Sequence, residues 1–263
     1  VSTPVPVGHD VRPAGEDAGQ GSVLVPRGLV LGAGALGGLS GAGVAKVEVV
    51  PAPRVAVLPT GDEVVAGSTP DAVGPLLAHL LAGDHAEVVV APPVADDLAA
   101  IRARVRALAE DHDVVVTVGG VSVGPRDHAA ALVAGLPVGE SLSLALRPGR
   151  PFAWGRTEDG VPVLCLPGSP VAALAAAVLL LRPVVARLAG RAAPRPVNVA
   201  LGAPVAGDER RRSIVPATLD ERTVRPVDGR GAADLARLAA TSALVDLPAG
   251  TGRLDAGRST RAD

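Results

Sequence analysis

The sequence predicts an α/β protein in which a parallel sheet wrapped by helices is followed by a small all-β domain and preceded by a short β-rich segment. Three observations lead to this fold class. Strand-like and helix-like patterns alternate through the middle of the 263-residue chain. The strands there are apolar on both faces, which is typical of a parallel sheet covered by helices. From about residue 191 the periodicity returns to two, with Pro and Gly turns between the short runs.

The composition indicates a folded protein with many turns. The chain has 32 Gly and 25 Pro, yet 48% of it is hydrophobic and its formal net charge is −2. That balance supports a packed core rather than disorder. Phe152 and Trp154 are the only aromatic residues and Lys46 is the only lysine. Base-stacking platforms are therefore excluded, and we expect no nucleic-acid partner.

Residues 1–52 are expected to be β-rich, with strand-like runs at 22–25 and 45–50 on either side of a glycine cluster. This segment holds too little apolar material for an independent domain, so we interpret it as the remnant of an N-terminal domain. The chain contains no methionine. Either Val1 is translated from a non-standard start codon, or the chain is a fragment of a longer protein.

The α/β domain is expected to span residues 53–190. Strands are predicted at 55–58, 86–90 and 114–118, and helices around 76–81 and from Asp96, where apolar residues recur with a period near 3.6. Further strands are predicted at 141–146, 152–154 and 161–166, before a helix that starts at Pro170 and is kinked or ended by Pro183. Residues 191–263 are expected to form a small β-barrel-like domain.

The sequence predicts a soluble, cytoplasmic protein without a membrane partner. The longest apolar run, residues 171–181, stops at Arg182 and is too short for a membrane span, and the N-terminus has no signal-peptide pattern. Cys165 is the only cysteine and lies in an apolar stretch. We interpret it as a buried core residue rather than a nucleophile.

Conspicuous residues follow four of the predicted strands, where an open parallel sheet places its ligand site. Three of the four turns contain acids, and two are glycine turns that lead into helices. A glycine turn before a helix lets the backbone approach an anion closely. The residues are Thr60, Gly61, Asp62 and Glu63; Asp96 and Asp97; Gly119, Gly120, Ser122, Gly124 and Asp127; and Pro167, Gly168 and Ser169.

Each turn also has a purely structural interpretation. Thr60 to Glu63 fits an ordinary polar turn, Asp96 fits a helix N-cap with Asp97 complementing the helix dipole, and residues 167–170 fit a well-formed helix start. For the turn that begins at Gly119, the strand, loop and helix context favours an anion site. The glycine spacing matches neither a Walker loop nor a dinucleotide fingerprint.

Three carboxylates, those of Glu63, Asp96 and Asp127, are expected to converge at one edge of the sheet. Carboxylates in one cleft repel each other unless they share a cation, and oxygen ligands suit Mg²⁺, which also bridges phosphates. Arg147 and Arg150 supply fixed positive charge for an oxyanion. The residues alone therefore predict a phosphorylated ligand held with magnesium.

In this order, the motifs resemble the molybdopterin molybdenumtransferase family, which includes MoeA and the E domain of gephyrin. The matching residues are Thr60-Gly-Asp-Glu63, Asp96-Asp97, Gly119 to Gly124 with Asp127, Arg147-Pro-Gly-Arg150-Pro and Leu166-Pro-Gly-Ser-Pro170. The resemblance implies a MogA-like molybdopterin-binding domain. It also implies insertion of molybdate into molybdopterin-AMP, release of AMP and the presence of Mg²⁺. Glu63, Asp96 and Asp127 become the metal and catalytic acids, Arg147 and Arg150 are added to the catalytic set, and the two glycine turns become the ligand cradle.

The chain departs from the family pattern at several positions. The family's first domains are absent before Val1, a usual lysine is replaced by Ser143, and a Gln-Gly-Ser motif aligns with Arg230-Gly231-Ala232. A non-catalytic molybdopterin-binding or scaffold protein is therefore an alternative, and a molybdopterin adenylyltransferase is a second one. The resemblance also implies a homodimer and contact with the upstream adenylyltransferase.

Overall fold

The computed structural model describes Pro4 and residues 6–121, 128–229 and 231–263. It divides the chain into two compact units, Val1–Val50 and Pro51–Asp263. In the described part of the first unit there is one helix, α1 (Ala33–Gly41), and no strand. The predicted β segments at 22–25 and 45–50 were wrong, because a strand needs a partner strand and the hydrogen bonds found here close local turns, such as Ser22 N–H to the Gly19 carbonyl. Alanine and leucine in the glycine cluster favour the helix instead.

The second unit starts with alternating strands and helices. They are β1 (Arg54–Pro59), α2 (Asp62–Val65), α3 (Val73–Ala82), β2 (Glu87–Val90), α4 (Leu98–Ala109), β3 (Val114–Val118), α5 (His128–Ala134), β4 (Val138–Ser143), β5 (Leu146–Arg147), β6 (Pro151–Arg156), β7 (Pro162–Leu166), α6 (Pro170–Ala176), a π-helical stretch (Ala177–Leu181) and α7 (Arg182–Leu188).

These strands form a six-stranded mixed sheet in the order β2-β1-β3-β7-β6-β4. Strands β2, β1, β3 and β7 are parallel, as the sequence predicts, and β6 and β4 extend the sheet in antiparallel fashion. Alternate residues of β1 face two separate cores. Val55 and Val57 pack in the cluster that includes helix α3, and Ala56 and Leu58 pack in the cluster that includes α4 and α5. Helices on both faces explain why β1 and β3, apart from Arg54 and Thr117, are apolar on both faces.

The helix that starts at Pro170 does not end at Pro183. It runs through the π-helical stretch to Leu188, and Pro183 is the second residue of α7, shortly after that stretch. With 19 residues, Pro170–Leu188 is long and apolar enough to cross a membrane by length and composition. Half of its most apolar window is buried inside the protein, as expected for the core helix of a folded domain.

The C-terminal part is built mainly from strands. They are β8 (Val197–Leu201), β9 (Val205–Ala206), β10 (Arg212–Asp220), β11 (Thr223–Pro226), β12 (Ala243–Leu247), β13 (Arg253–Leu254) and β14 (Ser259–Ala262), with one short helix, α8 (Leu235–Ala239), between β11 and β12. The main sheet has the order β11-β8-β14-β12-β10-β5. Because β11 also pairs with β10, five of these strands close into a ring.

Strand β5 belongs to the α/β part by sequence but to the C-terminal sheet by hydrogen bonding. It pairs in parallel with β10, so that Leu146 lies beside Arg212 and Arg147 beside Ser213. Leu146 is buried in a small cluster with Ala175 of α6, Ile214 of β10 and Leu244 of β12. The two parts of the second unit therefore share both a sheet and a core.

Candidate functional site

The turn after β1 is locked to the ends of its two neighbouring strands. The N–H and the hydroxyl of Thr60 both donate to the Val118 carbonyl at the end of β3, at 2.8 and 3.2 Å. The N–H of Gly61 donates to the carbonyl of Val94, beyond β2, at 3.0 Å. Thr60 is only 6% exposed. Thr60 therefore joins the ends of adjacent strands through its backbone N–H and its hydroxyl, and its role in ligand binding stays a prediction.

The two acidic residues of the turn after β1, Asp62 and Glu63, make different contacts. Asp62 Oδ1 accepts a hydrogen bond from the Asp96 N–H at 3.1 Å, which fixes the second turn against the first. The carboxylate of Glu63 folds back over Gly61, where a Cβ would lie 2.8 Å from Glu63 Oε1. Gly61 has φ +140, so this turn requires glycine for both its conformation and its space.

The helix cap after β2 is Asp97 rather than Asp96. Asp97 Oδ1 accepts from the Ala100 N–H at 2.7 Å, the bond an N-cap makes with the third helical residue. Two acceptable capping residues stand side by side in the sequence, and the fold uses the second. The half-buried Asp96 carboxylate is thereby left out of the cap and available to the site edge.

The glycine turn after β3 lies directly against the turns after β1 and β7. A Cβ on Gly119 would come within 2.7 Å of the Thr60 carbonyl oxygen, and one on Gly168 within 3.4 Å of Gly119 Cα. Gly119 and Gly120 have φ of +102 and +62, a region that favours glycine. Three backbone turns thus meet at the carboxyl edge of the sheet. Ser122, Gly124 and Asp127 lie outside the described residues, and their roles stay predictions.

The turn after β7 starts the long helix, and the C-terminal part covers that start. Pro167 is buried, Ser169 occupies the N-cap position without a side-chain capping bond, and Pro170 is in the first turn. The Val171 N–H donates to the carbonyl of Ala232 at 3.0 Å. One of the amide groups on which an anion site here would depend is therefore taken by the C-terminal part.

The arginine loop reaches the same edge because β6 is antiparallel to β7. Ala153 lies beside Cys165, so the residues that precede β6 stand at the level of the turn that follows β7. Arg150 Nε donates to Ser143 Oγ at 2.8 Å. A Cβ on Gly149 would lie 3.5 Å from the Ala172 carbonyl oxygen of α6. The loop therefore packs against the first turn of the long helix.

Between the arginine loop and the C-terminal part is a cleft of about 200 Å³. Its described lining consists of Arg147, Pro148, Val171, Gly229, Gly231, Ala232 and Arg237. Arg147 and Ala232 belong to motifs that the sequence makes conspicuous, whereas Val171 and Arg237 do not. Arg237 packs against Gly229 and donates through Nε to the Val227 carbonyl at 2.9 Å. Nothing in its local sequence marks it, because its approach to Arg147 depends on the pairing of β5 with β10.

Asp208, which lies behind Arg147, has a carboxyl pKa well below its ordinary value. Hydrogen bonds from the Arg211 side chain and from the Arg210 N–H lower the pKa of Asp208 to about 2. Arg147 Nη1 lies 3.4 Å from Asp208 Oδ2. The cleft wall thus contains two arginines, and a carboxylate with a lowered pKa lies beside one of them, outside the described lining of the cleft.

Within the described ranges, no group of three or more His, Cys, Asp or Glu side chains could hold a metal ion. The predicted third acid, Asp127, is outside those ranges. Glu63 and Asp96 lie on turns that Asp62 holds together, and their oxygens are the donor type that Mg²⁺ prefers. The described residues fit a hard cation by donor chemistry, and the three-acid site stays a prediction.

Comparison with known proteins agrees with the fold and the order of the motifs. The family described as "probable molybdopterin binding domain" matches residues 56–187, and the "MoeA C-terminal region (domain IV)" matches residues 198–260. A molybdopterin molybdenumtransferase 2 of Mycobacterium tuberculosis is 31% identical over 258 residues, covering 92% of this chain and 64% of that protein. The Haemophilus influenzae molybdopterin molybdenumtransferase is 33% identical over 191 residues, covering 70% and 47%.

Among solved structures, a molybdopterin biosynthesis MoeA protein of Pyrococcus horikoshii superposes with a TM-score of 0.79 at 27% identity. The match covers 94% of this chain and 63% of that chain. The first family match spans half of the residues, and both matches occur in the MoeA order. The chain belongs to the MoeA family of molybdopterin-binding proteins. It spans less than two thirds of the length of the relatives named here.

Proposed function

We propose that this chain inserts molybdate into adenylylated molybdopterin with release of AMP, during molybdenum cofactor biosynthesis. The observation that carries the proposal is the meeting of three turns, in which the turn at Gly119 is in backbone contact with the turns at Thr60 and Gly168. Two acids lie at one end of this edge and the arginine loop at the other. An edge with carboxylates on one side and guanidinium groups on the other suits a ligand that carries both a metal-bound phosphate and an oxyanion.

In the proposed site, the glycine turns let the phosphate of the nucleotide approach the backbone closely. Glu63 and Asp96, with Asp127, would hold Mg²⁺, which supplies charge neutralisation for the phosphate that leaves with AMP. Arg147 and Arg150 would bind molybdate and orient it toward the dithiolene. Ser143 holds Arg150 through Nε, so the guanidinium keeps its terminal N–H groups for the oxyanion.

The test is complementation of a bacterial strain that lacks the transferase, read as recovered molybdoenzyme activity. We expect recovery with the wild type and loss with Glu63→Ala or Asp96→Ala. Asp97→Ala is the matched control, because Asp97 caps a helix next to the site and its replacement should retain activity. Soluble, folded wild type without recovery would contradict the catalytic proposal.

A second candidate, a molybdopterin-binding protein without catalytic activity, is favoured by one observation. Ala232 lines the cleft and offers only a methyl group there, and its carbonyl is occupied by Val171. Calorimetry with molybdopterin-AMP and molybdate separates the candidates. Tight nucleotide binding without release of AMP supports this second function, and molybdate-dependent release of AMP supports the first.

The proposal includes a homodimer in the cytoplasm, supplied by an upstream adenylyltransferase. Among the described residues of the first unit only Leu39 is buried, so this unit has little core of its own and is expected to pack on another surface. Sedimentation at micromolar concentration tests the dimer, cell fractionation tests the location, and co-purification with the adenylyltransferase tests the partner.

A further inference from the structure

Arg147 lies where the α/β part and the C-terminal part of the second unit meet, at the edge of the cleft. Its backbone pairs with β10 beside Ser213, and its side chain, 63% exposed, lines the cleft. A long exposed side chain samples many rotamers, and ordering it on a ligand weakens binding. A contact that orients this guanidinium in the free protein therefore increases its affinity for an oxyanion.

Asp208 is held rigidly by contacts within its own loop, independently of Arg147. Its Oδ1 accepts from the backbone N–H groups of Arg210 and Arg211 at 2.9 and 3.1 Å. Its Oδ2 accepts from Arg211 Nη2 and Nε at 2.7 and 3.1 Å. The side chain is only 14% exposed. Four donors from its own loop fix the carboxylate, so it can act as an anchor for a neighbouring cation.

From these contacts we infer that Asp208 is a positioning residue, which orients the Arg147 guanidinium over the cleft so that it binds the substrate oxyanion. The inference rests on the proposed function. At 3.4 Å, the Arg147 Nη1 to Asp208 Oδ2 contact is longer than a strong charge-assisted hydrogen bond. Asp208 therefore limits the rotamers of Arg147 while leaving its remaining N–H groups to the ligand.

The kinetic test uses the full chain with molybdopterin-AMP and varied molybdate. We expect Asp208→Asn to raise the KM for molybdate about 2- to 10-fold, the range set by ordering one long side chain, with kcat nearly unchanged. In an Arg147→Ala background the same substitution should have no further effect. Glu209→Gln, which removes the adjacent, exposed charge, is the matched control and should leave KM unchanged. A KM effect of Asp208→Asn that persists without Arg147 overturns the inference.

A second readout does not depend on activity, so it separates this inference from the proposed function. The ¹⁵N–¹H heteronuclear NOE of Arg147 Nε–H, assigned with Arg147→Lys, should show restricted motion in the wild type compared with Arg106, an exposed residue of α4. Asp208→Asn should release it. If the variant does not fold, the wild-type comparison still decides, because equal mobility of Arg147 and Arg106 refutes the positioning role. Restricted motion in a protein that releases no AMP upholds the contact and refutes the proposed reaction.

Discussion

At the residue scale, Gly119 is the position where the site depends most directly on a missing side chain. Its φ is +102, and a Cβ would press on the Thr60 carbonyl at 2.7 Å. We expect Gly119→Ala to lower the free energy of unfolding by about 2–4 kcal/mol, from left-handed strain and overpacking together. Urea denaturation measures this loss.

The control for Gly119 is Gly67, which has φ +69 but nothing within 4 Å of a built Cβ. Gly67→Ala should therefore show only the conformational part, about 1–2 kcal/mol. Equal losses at the two positions would mean that the close approach of the turns contributes nothing.

The second prediction at this scale concerns pH. Hydrogen bonds from the Arg211 side chain and the Arg210 N–H lower the pKa of Asp208 from 3.8 to about 2. A carboxylate with a lowered pKa in the folded state stabilises the protein above its unfolded pKa, and this contribution disappears as the pH falls through the folded value. The Tm difference between the wild type and Asp208→Asn should therefore be constant above about pH 5 and shrink toward pH 2.

Differential scanning calorimetry across this pH range measures the difference. The comparison with Asp208→Asn cancels the titration of the other carboxylates, provided that they behave alike in both proteins. A difference that grows on acidification would contradict the direction of the shift.

At the scale of elements, the start of helix α4 places a structural acid, Asp97, beside Asp96, to which the proposed function assigns a role in the site. Asp97 caps the helix through the Ala100 N–H, so Asp97→Ala should lower the free energy of unfolding by about 1 kcal/mol. Asp96→Ala keeps that bond and should change stability less, although complementation is lost under the proposed function. Paired denaturation and complementation of the two variants test this division. A larger stability loss for Asp96→Ala would reverse the assignment.

Strands that are buried on both faces are the elements best predicted from the sequence. Strand β3 occupies the predicted residues 114–118, and β1 extends the prediction by one residue at each end. Their apolar runs reflect helices on both sides of the sheet. The order of the motifs also predicts that Thr60, Gly119 and Gly168 lie at one edge of the sheet. In the structure the turns that contain them meet at that edge.

Elements that depend on a distant partner were predicted poorly. In the first unit the runs at 22–25 and 45–50 form no strand, and the glycine cluster between them contains a helix instead. Nothing local decides whether a strand-like run finds a partner strand. Asp208 and Arg237 escaped notice for the same reason: Asp208 contacts Arg147, and Arg237 lines the same cleft, only because the C-terminal part packs on the arginine loop. A choice between adjacent acids, such as Asp96 and Asp97, is also beyond pattern reasoning, because both residues suit an N-cap.

At the scale of the whole molecule, two ion pairs hold buried carboxylates: one joins the long helix to Asp84, shortly after α3, and the other joins the neighbouring strands β10 and β12 of the C-terminal sheet. Arg182 Nε lies 2.6 Å from Asp84 Oδ2, and Arg212 Nη2 lies 2.6 Å from Asp246 Oδ2. Burial, followed by the charge of Asp246, raises the pKa of Asp263, while both arginines oppose the shift. Removal of either arginine therefore leaves a buried carboxylate without its ion-pair partner.

Arg182→Ala is expected to lower the free energy of unfolding by about 3 kcal/mol, because Asp84, only 5% exposed, would lose its bidentate partner. Arg253→Ala is the control. Its pair with Asp255 is exposed, and its loss should change stability by less than about 1 kcal/mol. Urea denaturation of both variants decides, and equal losses would show that burial of the Asp84 pair has no energetic consequence.

The two-residue strand β5 has a consequence for how this protein can be divided. A fragment that starts near residue 191 would expose the edge of β10, where the Arg212 N–H now donates to the Ala145 carbonyl at 2.9 Å. The complementary fragment would leave the arginine loop without its anchor. Recombination or domain grafting near residue 191 should therefore keep residues 145–147 together with the C-terminal part, because these residues pair with β10.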